Sequence, residues 1–149
     1  MSLGVVVLAI YHLSKTPQSK TSIQFYLEAK STDVKTLELK FRDSNESMLL
    51  EKTPVLTEKD IEGAELVLGK DKDESKPVSI QFQLSQRGSK RCTEITGNNI
   101  NRKIAVVVNG RIITAPIIKQ RVPEGPLFIS EKFSFEEAKK IVDDLNKEK

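Results

Sequence analysis

The two residue types behind most metal and nucleophile chemistry are nearly missing. The 149-residue chain has one cysteine, Cys92, one histidine, His12, and no tryptophan. A disulfide framework, a cysteine-rich zinc site and a Cys/His metal cluster are therefore excluded within one copy of the chain. Serine-histidine-aspartate catalysis would have to run through His12 alone. Aromatic residues make up only 5% of the chain. None of them interleaves the basic residues of the middle third, so no stacking platform for single-stranded nucleic acid, and no nucleic-acid partner, is expected. No run approaches the roughly 20 apolar residues that span a bilayer. The nearest is residues 3–13, LGVVVLAIYHL. There is no G-x-G-x-x-G and no internal repeat.

What is present is ordinary for a globular chain: 38% apolar and 30% charged residues, too apolar for disorder. The length suits one domain with a small appendage. Charge is uneven. Residues 1–84 carry 11 basic and 13 acidic side chains, and residues 124–149 carry 5 and 7. Residues 85–123 carry Arg87, Lys90, Arg91, Arg102, Lys103, Arg111, Lys119 and Arg121 against Glu94 alone. That segment is either the solvated side of a helix and two strands or an attraction for polyanions and acidic polypeptides.

Residues 3–13 fit two readings. One is the trimmed end of a signal peptide or anchor followed by a polar linker. The other is a first strand, since Val, Ile and Tyr favour strands. Residues 1–20 are accordingly set apart from a domain over 21–149.

Residues 21–30 alternate Ile23, Phe25, Leu27 and Ala29 with polar neighbours, the mark of a half-buried strand. Residues 37–42 and 47–55 predict two more, the latter ending at Pro54. Thr57 to Asp60 reads as a capped short helix, and 64–68 as a strand. Residues 70–76, KDKDESK, form a charged loop. Val78, Ile80, Phe82 and Leu84 alternate most clearly of all. From Ser85, a cap, the period becomes helical up to Thr96, with Gly88, Cys92 and Ile95 on one side, and Gly97-Asn98-Asn99 stops it. Residues 104–108 are a β-branched run suited to burial on both faces. Asn109-Gly110 follows, the dipeptide of a type I′ hairpin, and the arm 111–118 is interrupted by Pro116. After a last strand over 127–133, Ser134 and Glu137 predict a capping box. Phe135, Ala138, Ile141, Val142 and Leu145 stripe a terminal helix. The sum is α+β: a mainly antiparallel sheet with two principal helices packed on one face.

From Asp60 onward the residues resemble a known family. Gly88, Thr96, Asn99, Ala105-Val106-Val107-Val108-Asn109-Gly110, Ala115-Pro116-Ile117-Ile118, Gly125, Ile129, Phe133 and Glu137-Ala138 follow the order and spacing of the head of the first extracytoplasmic domain of the SecD/SecF family. The likeness is close over 53–149 and looser over 21–55, as in short stand-alone relatives. Cys92 stands where the family has Phe, Asn101 and Glu131 where it has Gly, and Asn109 where it has Asp.

The resemblance implies a non-enzymatic, extracytoplasmic module of protein export, without cofactor or metal. Its implied partners are unfolded preprotein or other polypeptide, and other Sec translocase subunits. Membrane association would come through segments outside this chain. Edge-strand pairing is a sequence-tolerant way to hold polypeptide. The candidate edge is the arm carrying Arg111, Ile113, Pro116, Ile118, Lys119 and Arg121. A stand-alone anchored relative binding a polyanion through the basic segment is the alternative. The carboxylates Asp71, Asp73 and Glu74, or Glu136 and Glu137, make no convincing acid/base pair for an enzyme.

Overall fold

The computed structural model describes residues 20–31 and 35–147. The apolar run 3–13 lies outside them. Nine strands and two helices follow in the order β1 (Ile23–Leu27), β2 (Thr36–Lys40), β3 (Ser47–Glu51), β4 (Leu56–Thr57), β5 (Ile61–Val67), β6 (Val78–Leu84), α1 (Gln86–Asn98), β7 (Ile104–Val108), β8 (Arg111–Thr114), β9 (Leu127–Phe133) and α2 (Phe135–Lys147). All strand pairs are antiparallel, in keeping with α+β. The sheet expected as one is three: β4-β1-β7-β8, β2-β3 and β5-β6-β9.

Local chemistry places the elements. A 3-10 turn over Glu58–Asp60 is closed by Thr57, whose Oγ1 accepts from the Lys59 N–H, while the Asp60 carboxylate accepts from the Thr57 N–H. Ser85 caps α1 by accepting from the Gly88 N–H at 3.0 Å. Asn109 and Gly110 both hold positive φ, 51° and 81°, as a type I′ turn requires. Ser134 Oγ accepts from the Glu137 N–H, the capping bond predicted for the start of α2. The Glu137 carboxylate pairs with Arg42, which also donates to the Lys132 carbonyl and so fastens the β2–β3 hairpin to the start of α2.

The main core lies between the four-stranded and three-stranded sheets. Ile23, Phe25, Val106 and Val108 face Ile80, Phe82 and Phe133, and Ala138, Ile141 and Leu145 of α2 join them. Phe25 and Phe82 meet edge to face with centroids 6.4 Å apart. A second cluster, Tyr26, Leu50, Ala105, Val107 and Ile112, sits on the other side of β7, under the β2–β3 hairpin. The β-branched run 104–108 is thus buried on both faces. At the far end Asp144 accepts from the Thr21 N–H and hydroxyl and from Lys140. Lys140 and Thr21 hold that carboxyl down to about 2.

Candidate functional site

The buried face of α1 differs from the predicted one. Ile95 is only half-buried, and the side turned inward is Gly88, Ser89, Cys92, Thr93 and Thr96. Hydroxyls are wanted there because the segment 119–126 is strapped across the helix. The Val122 N–H donates to Thr96 Oγ1 at 2.9 Å, and the Gly125 N–H to Ser89 Oγ at 2.8 Å. Pro123, between them, has no N–H to offer, and Thr93 Oγ1 is buried with no hydrogen-bond partner. Thr93→Val keeps the shape and removes the unsatisfied hydroxyl. It is expected to raise unfolding free energy by about 1–2 kcal/mol, read as a higher urea midpoint at unchanged slope. A lower midpoint would mean that the hydroxyl is bonded after all.

Between the strap, α1 and β9 lies an apolar cleft of about 220 Å³. Phe25, Cys92, Ile104, Val106 and Ile118 form its interior, and among the described residues Lys119 is the one charged residue lining it. Ile117 and Phe128, 48% and 52% exposed, also line it and are among the few large apolar side chains of the described residues turned to solvent. Cys92 is buried, and burial pushes its thiol up, so it stays protonated and acts as a small apolar residue.

The predicted arm is divided by this geometry. Arg111 is exposed at the hairpin tip, Ile113 is half-buried, and Pro116, Lys119 and Arg121 are exposed. Ile118 corrects the reading of the arm as outward-facing. It is 6% exposed, and its backbone N–H and C=O bond Arg102 and Asn101. The neighbour Ile117 takes the outward place. Nor is the β8 edge free, since the Ile112 carbonyl accepts from the Arg42 N–H at 2.9 Å. Phe128, the most exposed large apolar residue among the described residues, was missed because it alternates within an ordinary strand.

The basic segment is not one patch. Arg87, Lys90 and Arg91 are exposed on α1, and Arg121 lies across Gly97 at the end of that helix. Arg102 is spent internally on Asn99, the Glu28 carbonyl and Glu51. The carboxylates are dispersed too: Asp71 pairs with Lys76, Asp73 is held low by the Ser75 hydroxyl and N–H, and Glu137 holds Arg42. Among the described residues no group of three or more His, Cys, Asp or Glu side chains could hold a metal ion. No helix among them is long and apolar enough to cross a membrane.

The model of the SecDF P1 head subdomain family matches residues 34–147. The chain is 32% identical over 84 residues to protein translocase subunit SecD of Acidaminococcus fermentans, covering 52% of this chain and 20% of that one. It is 36% identical over 88 residues to protein translocase subunit SecDF of Thermus thermophilus, covering 59% and 11%. With SecD of Aquifex aeolicus it shares 28% over 120 residues, covering 74% and 23%. The chain thus spans less than a quarter of the length of these relatives. A solved structure of SecDF, described as a membrane component that enhances protein export, superimposes with TM-score 0.65 at 21% identity, covering 86% of this chain and 63% of that one. SecDF in its super-membrane-facing form gives 0.63 at 23%, covering 85% and 18%. These two likenesses concern the fold.

Proposed function

The chain belongs to the SecDF P1 head subdomain family, and from that premise we propose that it serves protein export as a non-enzymatic, extracytoplasmic module that contacts extended polypeptide. Its partners are then an emerging preprotein and other subunits of the Sec translocase. Membrane attachment is assigned to segments other than the described residues. The observation that carries the reading is the apolar cleft flanked by exposed Ile117 and Phe128, on a body with no converging acid/base or metal-ligating groups among the described residues. From the predicted arm, Arg111, Ile113, Pro116, Lys119 and Arg121 remain candidate contacts, Ile118 stays among them through the cleft interior, and Ile117 joins them.

Polypeptide in transit has no fixed sequence. A surface that handles it must use groups every chain carries, namely the backbone and recurrent large apolar side chains. Contacts of this kind are weak singly and release readily, which suits a passing substrate. The full chain titrated with a permanently unfolded polypeptide is expected to bind saturably with Kd near or below about 100 μM, measured by calorimetry. No binding at that level would end the reading. The polyanion reading loses Arg102 to internal bonds and gains no support from the arrangement of the other basic residues.

A further inference from the structure

The two edges of the three-stranded sheet are treated differently, and side-chain bonds reveal how. Asn146, from α2, accepts from the Ala64 N–H at 2.9 Å and donates to the Ala64 carbonyl at 3.0 Å. Its amide stands in for a neighbouring strand at Ala64, in the middle of the outer edge of β5. The same bonds fix the direction of every main-chain group in the sheet. Ala64 turns its groups away from β6, so Phe82, its partner, turns its own away from β5 and towards β9. Phe82 pairs with Leu127 and Ile80 with Ile129, so these two β9 residues spend their groups on β6. Phe128, between them, therefore turns its N–H and C=O away from the sheet, and beyond Ile129 the β6–β9 register is broken by a bulge. Arg42, donating to the Lys132 carbonyl, closes the end of this edge. Among the described residues no main-chain group pairs with the outward groups of Phe128.

The apolar cleft lies at this open edge. It is lined by Leu127 and Ile129 from one face of β9 and by Phe128 from the other. A cavity of about 150 Å³ holds benzene, so 220 Å³ holds one side chain the size of Leu or Phe. Lys119 lines the cleft, and Lys132 is exposed further along β9. Arg121 is also exposed but shares a separate hollow with Glu124.

Resting on the polypeptide-contact reading above, we infer that an extended segment docks as an added strand on the outer edge of β9, with a large apolar side chain in the cleft and an acidic residue beside it facing Lys119. The backbone pairing makes the site tolerant of sequence, and the cleft and lysine select its register. The β8 arm forms the opposite wall.

The test uses the full chain and a fluorescein-labelled octapeptide of Ser and Thr with a central Phe-Asp pair, followed by anisotropy. N-methylation of one alternate set of peptide amides is expected to weaken binding by about tenfold, and of the other set not at all. Replacing the peptide Phe by Ser or its Asp by Lys is expected to weaken binding as well. On the protein side, Phe128→Pro removes the outward N–H between the paired Leu127 and Ile129, and is expected to bind about tenfold more weakly than Phe128→Ala, which loses the ring alone. Should that variant misfold, the methylated peptides on the unaltered chain still decide. Binding indifferent to methylation at either set would overturn strand addition while leaving polypeptide contact standing. Failure of the octapeptide to bind while a long unfolded polypeptide binds would overturn it too. Failure of both would overturn the reading beneath it.

Discussion

Phe82→Ala is expected to lower the free energy of unfolding by about 3–5 kcal/mol, a large part of what a domain of this size possesses. Phe82 is fully buried at the centre of β6, the middle strand of its sheet. It reaches across the main core to Phe25 on β1, at the middle of the other sheet's pairing with β4 and β7. The loss combines transfer of the ring, the cavity left behind and an edge-to-face contact of about 0.5–1.5 kcal/mol. Collapse is hindered because β6 is held by strands on both sides. Urea unfolding of Phe82→Ala, Phe25→Leu and the double variant separates these contributions, and the pair should couple by about 0.5–1.5 kcal/mol. A loss below about 1 kcal/mol for Phe82→Ala would mean that the two sheets do not share one core.

Gly88→Ala is expected to destabilise by about 1–2 kcal/mol, against the helical preference of alanine. In an open helix that substitution gains up to about 1 kcal/mol. Here a Cβ at position 88 would fall 2.8 Å from both the Cβ and the carbonyl oxygen of Asp60. The obstacle cannot swing aside, because the Asp60 carbonyl accepts from the Ser85 N–H and its carboxylate closes the turn on Thr57. The first turn of α1 must lift from the 3-10 turn, an overpacking cost of about 1–3 kcal/mol. Thermal unfolding measures the sign directly. A raised midpoint would show that α1 does not approach Asp60 so closely.

Much of this fold could be read from residue order because each signal was local. Thr57 and Asp60 sit three apart and close their own turn. Asn109-Gly110 supplies two positive φ values between two β-branched runs, and Val78 to Leu84 alternates without interruption. The division into three sheets was not legible, since strand spacing does not tell which distant strands meet. The face of α1 was misread at Ile95. Apolar periodicity cannot foresee that Ser89 and Thr96 will be turned inward to receive N–H groups from a strap some thirty residues away. At Ile118 the arm was read as an outward strand, but its backbone folds back onto residues 101 and 102 and turns that side chain in. The cleft gathers side chains from β1, α1, β7, the strap and β9, and no window of sequence contains it.

The Asn146 amide has a consequence for stoichiometry. A sheet interrupted at the centre of one flank and open on the other favours a single passenger and pairs poorly with a second sheet of its own kind. Occupancy should level off at one equivalent, and end-to-end stacking of copies into filaments through this sheet is opposed by the same side chain at each junction.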